Sequence, residues 1–291
     1  MAAVSALGWV CPDDGCALPL QAHALVCGGC GQSYAVRDGI PCFLQPERMD
    51  PRQQFEQTLR DRQIAPPENR RYCYERQVGI EAVRRRLPPE AAGLILDAGC
   101  GVGHLTHQLL ERGHEICGLD FSLERLRYLK QHAPARGRLA VATADLNHIP
   151  LPPGSCAAVV NTQVLEHLPT AAARQQLLAS FARLLRPGGT LIVTVYNFGE
   201  PWRRRGDPAE GVHASGIFYH CYQAPELQAE LEAAGFEIIE ICGIVHLMPH
   251  TYRLWPRLGA LGRWCDHRIE AHPQLSQRWG NLLLAHARRP V

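Results

Sequence analysis

The sequence predicts an α/β fold: a largely parallel sheet interleaved with helices, preceded by a small cysteine-bearing module. Three observations predict it. From Gly93 onward, short apolar runs alternate with longer amphipathic stretches, the order strand, helix, strand that a parallel sheet requires. Four of the 12 cysteines fall within residues 11 to 30. At 291 residues the chain has room for one main domain of about 200 residues and a small extra module.

The totals narrow the class further. With 46% hydrophobic and 20% charged residues the chain reads as an ordinary globular protein. A net charge of +2 demands neither a nucleic acid nor a membrane surface as partner. No apolar run approaches the roughly 18 to 20 residues of a membrane span, and "MAAVSALGWVCPDDG" lacks the basic start and long apolar stretch of a signal peptide. The expectation is a cytoplasmic protein with no membrane partner, whose cysteines are metal ligands and buried thiols rather than disulfides.

The first element in order is the module of residues 1–45, with Cys11 and Cys16, then Cys27 and Cys30. Two short cysteine loops joined by a hairpin are what a tetrahedral zinc site needs, each loop supplying two thiolates. The pair in "CGGC" has C-x2-C spacing; the first pair is C-x4-C, at the wide end of the usual range. A module this small buries too little apolar surface to fold alone, so the zinc is expected to be structural, and four thiolates leave no position for an activated water. Cys42, in "GIPCFL", reads as a small buried residue of a terminal strand. Over residues 11 to 45 the two loops and the ending "YAVRDGIPCFL" resemble the small zinc-ribbon proteins that serve as activator subunits of eukaryotic RNA and protein methyltransferases, and their bacterial relatives.

Residues 46–70 are polar and bracketed by prolines, which predicts a linker. Apolar residues then recur at helical spacing from Tyr72 to Leu87, and "PPEAAG" stops that helix.

Next comes "GLILDAGCGVGHLTHQLLERGHEICGLDFSLERLRYLKQHA", which reads as strand, glycine turn, helix, strand, turn, helix. Glycines in the turn after a first strand let backbone approach a ligand at the strand's carboxyl end. A dinucleotide would want G-x-G-x-x-G, but Gly99, Gly101 and Gly103 are spaced G-x-G-x-G and His104 takes the third dinucleotide position. Asp120 closes the second strand, where a carboxylate can accept two hydrogen bonds from a ribose diol. A ligand with a free ribose diol and no pyrophosphate fits both features.

From Leu94 to Phe198 the chain resembles the class I S-adenosylmethionine-dependent methyltransferases with an "LDAGCG" first motif. The resemblance implies a Rossmann-like, seven-stranded, mostly parallel sheet with helices on both faces, spanning residues 71–291. It implies S-adenosyl-L-methionine as cofactor. Asp97, Gly99, Gly101 and Gly103 would hold its methionine part, and Asp120 with Phe121 the ribose. Asp145 and Leu146 match the adenine-binding turn, while Asn161 and Gln163 fall where the fourth strand opens towards the cofactor. "LLRPGGTLIVTV" matches the helix, Pro-Gly-Gly turn and fifth strand, and "APELQAELEAAGFEIIEICGI" with "GNLLLAHARRP" completes the reversed hairpin.

Methyl transfer from a sulfonium is an in-line displacement, so positioning dominates and a base is needed only when the acceptor still carries its proton. His220, His167 and Tyr219 are the candidate catalytic residues, with Tyr196, Asn197 and His213 beside them. Lid or acceptor elements are expected over 198–222 and 246–279. From His246 to the end there are seven arginines, two acidic residues and three tryptophans, a composition open to an amphipathic lid or to RNA. The resulting expectation is a methyltransferase acting on an O or N atom of a small-molecule biosynthetic acceptor. Two alternatives stay open: a tRNA or rRNA methyltransferase with a fused activator-like ribbon, and a non-catalytic scaffold that stabilises a partner. The oligomeric state is not legible.

Overall fold

The computed structural model describes residues 7–21, 23–45, 47, 49, 51–62, 64, 70–87, 93–246 and 257–291. In chain order the first strands are β1 (Leu20–Gln21), β2 (Ala24–Val26), β3 (Ser33–Arg37) and β4 (Ile40–Pro41). Helices α1 (Pro51–Arg62) and α2 (Arg70–Arg86) precede β5 (Leu94–Ala98), α3 (His104–Leu110), β6 (Glu115–Asp120), α4 (Leu123–His132) and β7 (Arg138–Thr143). Then come β8 (Cys156–Thr162), a short 3-10 turn (Leu165–His167), α5 (Ala171–Leu184), β9 (Leu185–Tyr196), α6 (Glu200–Arg205), β10 (Glu210–Val212) and β11 (Phe218–His220). The chain ends with α7 (Ala224–Ala233), β12 (Glu237–Ile244), α8 (Ala260–Glu270), α9 (Pro273–Trp279) and β13 (Leu282–Arg288).

One seven-stranded sheet has the order β12-β13-β9-β8-β5-β6-β7. The β5–β6 and β6–β7 pairs are parallel, and β13 runs antiparallel to both β12 and β9. This is the mostly parallel α/β sheet with a reversed final hairpin that the sequence predicts. β9 begins at Leu185 and takes in the Pro187-Gly188-Gly189 stretch, where Gly188 sits at positive φ (74°). The segment read as a linker is helical over Pro51–Arg62, and proline in the first turn suits its start. The helix stop in "PPEAA" and the stretch 247–256 of the expected lid lie outside the described residues.

Two compact units divide the chain. The first comprises Met1–Ala65, Glu90–Val159 and Ser180–Gly189. In it β1 to β4 form an antiparallel sheet, with Trp9, Tyr34 and Phe43 packed ring on ring at 5.0 to 5.4 Å. Just past β4, Cys42 bridges Thr143 in parallel register and Phe43 N–H donates to the Thr143 carbonyl at 2.8 Å. The small sheet thereby docks on edge strand β7, which would otherwise present unpaired backbone groups. Ile40 is fully buried and packs with Cys100, Leu126, Leu129 and Val141, and Asp38 pairs with Arg127 of α4 at 2.7 Å.

The second unit comprises Pro66–Pro89, Val160–Ala179 and Thr190–Val291. Its helices are fastened by ion pairs centred on Arg86 and Glu270. Arg86 of α2 bridges Glu240 of β12 (2.8 Å) and Glu270 of α8 (2.7 Å), and Arg85 also reaches Glu270 at 2.5 Å. Asp266 of α8, 1% exposed, accepts from the His246 backbone N–H and holds His246 Nδ1 at 2.7 Å, while the Tyr74 hydroxyl donates to it at 3.3 Å.

Candidate functional site

The turn after β5 folds back onto β6: the N–H groups of Gly99 and Cys100 both donate to the Leu119 carbonyl, at 2.8 and 3.0 Å. The need for glycine is sharpest at Gly103, where φ is +86° and a Cβ would stand 2.2 Å from Leu129 Cδ1. Without a side chain there, α4 closes onto the turn. Asp120 ends β6 and accepts from Gly101 N–H and Ser122 N–H, both at 2.9 Å. Its carboxylate is fixed beside the turn and keeps lone pairs for a diol.

Asp97 is buried in the same turn. Its Oδ2 accepts the Thr106 hydroxyl at 2.6 Å, and Oδ1 is buried with no hydrogen-bond partner among the described residues. Burial pushes the Asp97 carboxyl up to about 6, opposed by the Thr106 hydroxyl and aided by the Asp120 charge. An orphaned carboxylate oxygen is a receptor for an ammonium group such as that of an amino-acid moiety. These observations fit the methionine and ribose ends of S-adenosylmethionine.

Past β7, Asp145 Oδ1 accepts the Asn147 N–H at 2.9 Å and the Asn147 amide at 3.1 Å, and Leu146 is buried. Helix α1 lies across this region. Gln53 donates to Asp145 Oδ2 at 3.4 Å, Gln57 to the Phe121 carbonyl at 3.1 Å, and the Ser122 hydroxyl donates to Asp61. Sequence reasoning missed this helix, because α1 has no buried residue and so no apolar periodicity. The available signal was a polar stripe at four-residue spacing, Gln53, Gln57 and Asp61.

The cysteine module gathers Cys11, Asp14, Cys27 and Cys30, whose ligand atoms all lie within 4.8 Å of one another. The Sγ atoms of Cys11 and Cys30 are 3.7 Å apart, and Asp14 Oδ2 is 3.2 Å from Cys27 Sγ. A tetrahedral zinc site with bonds of 2.3 Å to sulfur implies a sulfur–sulfur spacing of about 3.8 Å, so the donor set fits that ion. Of the four predicted ligands, Cys16 is outside this tightest set. Its N–H donates to Asp14 at 2.9 Å, which with the Cys27 thiol holds the Asp14 carboxyl down at about 2. Cys16 Sγ nonetheless stays close by, since a Cβ on Gly29 would lie 2.9 Å from it and 2.5 Å from Asp14 Oδ2.

In the second unit, Asn161 is buried, while Gln163 is exposed at φ +55° with its N–H on the Thr194 carbonyl at 2.9 Å. A left-handed non-glycine residue at a strand end is the kind of strain that persists where a site requires it. His167, Tyr196, Trp202, His213 and Tyr219 form one aromatic set. Tyr196 is 5.8 Å from His167 and from His213 and 6.0 Å from Trp202; Tyr219 is 4.5 Å from His213 and 5.4 Å from Trp202. His167 Nδ1 is 2.8 Å from the Phe218 carbonyl, which can only accept, so Nδ1 carries a proton. Burial raises the Tyr219 phenol, which keeps it a proton donor. His220 is engaged elsewhere, with Nε2 2.7 Å from Glu226 and its ring edge-on to Tyr222. Trp202 was not singled out from the sequence; the fold places it against Tyr196 and Tyr219.

The fold and the glycine cradle thus define a Rossmann-like domain built for a nucleoside with an amino-acid tail. A family model described as "Methyltransferase domain" matches residues 96–193. A "Probable S-adenosylmethionine-dependent methyltransferase" of Mycolicibacterium smegmatis is 32% identical over 167 residues, 57% of this chain and 61% of that one. The chain therefore spans less than two-thirds of that relative's length. A "Ubiquinone biosynthesis O-methyltransferase" of Nitrosococcus oceani is 30% identical over 187 residues, 57% of this chain and 71% of that one. Among solved structures, a chain from a complex between the Haloferax volcanii Trm112 methyltransferase activator and a methyltransferase shares the fold, with a TM-score of 0.56 and 20% identity over 80% of this chain and 98% of that one. The chain belongs to the S-adenosylmethionine-dependent methyltransferases.

Proposed function

We propose that this chain transfers the methyl group of S-adenosylmethionine to an oxygen or nitrogen of a small-molecule acceptor. The observation that carries the reading is the aromatic set of His167, Tyr196, Trp202, His213 and Tyr219, with the His167 tautomer fixed by Phe218. Bound cofactor supplies an electrophilic methyl on a sulfonium. Asp120 would hold the ribose, Asp97 the ammonium, and the backbone at Gly99 to Gly103 would leave room for the tail. The aromatic side chains would orient a flat acceptor and exclude water, and His167 would take the proton of a hydroxyl acceptor as oxygen bonds to the methyl carbon, or of an ammonium before its nitrogen attacks, while the methyl–sulfur bond breaks to leave a neutral thioether. Tyr219 donates a hydrogen bond to the acceptor.

The ribbon is proposed to bind one structural zinc through Cys11, Cys27 and Cys30, with Asp14 or Cys16 completing the shell. Its support is the donor spacing and the seating of Ile40 in the core of the first unit. The deciding experiment is native mass spectrometry for zinc and bound cofactor, followed by calorimetry with S-adenosylmethionine and a screen of phenols, amines and bulk tRNA as acceptors. We expect one zinc, micromolar cofactor affinity and turnover of small acceptors that falls at least 100-fold in His167→Ala, with cofactor affinity retained. Zinc-replete protein that binds neither cofactor form would sink the enzyme reading, and turnover of tRNA alone would replace the acceptor class.

A further inference from the structure

We infer that the outer face of helix α8 lies on the surface of an anionic lipid bilayer. The inference stands apart from the methyl-transfer reading and rests on one patch of the second unit. Leu261 and Trp264 of α8 are 55% and 60% exposed, at the three-residue spacing that puts them on one face; Leu258, just before the helix, is 42% exposed, and Arg268 follows one turn on with its guanidinium 6.0 Å from the Trp264 ring. Leu275 on α9 is another large apolar side chain left in solvent, 43% exposed.

The charges are sorted by face. Residues 257–279 contain two acidic side chains, Asp266 and Glu270, and both are buried, one on His246 and Tyr74, the other on Arg85 and Arg86. His267 and Arg268 of α8 and Arg257 just before it are exposed, while Arg278 of α9 pairs with Glu200. What α8 offers outward is therefore apolar and cationic, with every carboxylate turned inward. That is the pattern of a helix lying in the interface of a bilayer with anionic headgroups, where leucine and tryptophan enter the acyl boundary and arginine meets phosphate. The expectation of no membrane partner came from the lack of a spanning run, which does not bear on a helix that lies flat.

The same charges decide against other occupants. A second copy packed face to face would bring arginines against arginines across a low-dielectric contact. A nucleic acid would use the arginines but has no use for the leucines beside Trp264.

Vesicle co-sedimentation of the full, zinc-replete chain tests this. The probes are phosphatidylcholine vesicles and the same vesicles with about one-third phosphatidylglycerol, at low and high salt. We expect binding to the anionic vesicles alone, weakened by salt, and lost at least tenfold in the Leu261→Glu/Trp264→Glu double variant. Both positions are exposed, and unchanged circular dichroism and cofactor affinity in that variant confirm folding. The inference is overturned if anionic vesicles are not bound or if the variant binds them as well as the parent. It is equally overturned if sedimentation velocity shows a dimer that the variant dissolves, or if salt-sensitive binding to bulk RNA depends on these residues while vesicles are ignored.

Discussion

Asp97 shows how one buried carboxylate can tie cofactor binding to pH. Burial lifts its carboxyl from an ordinary 3.8 to about 6. Between those values the folded chain holds the proton more tightly than the unfolded chain, so Asp97 lowers stability as pH rises from about 4 to 6, and the loss is complete above 6. Binding reverses the preference, because an ammonium group on the orphaned Oδ1 favours the ionised form. Cofactor affinity should therefore tighten up to tenfold per pH unit below about 6 and level off above it. Calorimetry across pH 5 to 8 reads this directly. In Asp97→Asn the dependence should vanish while the melting temperature without cofactor at pH 7 rises; a flat profile in the parent protein would show that Asp97 does not meet the cofactor.

At the scale of elements, strand β4 matters more than its two residues suggest. Ile40 sits at 0% exposure against Cys100 of the glycine turn and Leu126 and Leu129 of α4, so the ribbon supplies part of the wall behind the cofactor cradle. Ile40→Ala should cost about 2 to 5 kcal/mol, seen as a lower denaturant midpoint, with weaker cofactor binding because the turn loses its backing. Unchanged binding in a destabilised variant would confine Ile40 to stability. The sheet itself was legible: apolar runs, the glycine turn and the aspartate ending β6 follow from rules of local sequence. Helix α1 was not, because Gln53, Gln57 and Asp61 bond to Asp145, Phe121 and Ser122 through polar groups that leave no hydrophobic period. The aromatic set was half legible. His167, Tyr196, His213 and Tyr219 could be named from strand ends, but their meeting, with Trp202 against Tyr196 and Tyr219, depends on how residues far apart in sequence are folded together.

For the molecule as a whole, the question is whether the cysteine module is an appendage or a part of the methyltransferase. The parallel bridge between Cys42 and Thr143, the Phe43 hydrogen bond and the Asp38–Arg127 pair attach the ribbon to the edge strand and to α4, and Ile40 enters the core behind the cradle. A zinc ion that holds the two cysteine loops would then hold this wall in place, since the ribbon buries too little apolar surface to persist alone. Chelation of zinc should lower the melting temperature and cofactor affinity together, and zinc release followed with a chromogenic chelator should coincide with the main unfolding transition. A ribbon that only recruits substrate predicts the opposite: zinc leaves at a lower temperature, and affinity for S-adenosylmethionine is untouched while acceptor turnover falls. Because the two outcomes differ in cofactor binding, the experiment separates them without knowing the acceptor, and a Cys27→Ser variant, which removes a thiolate from the tightest donor set, should reproduce the chelated state in the absence of any chelator.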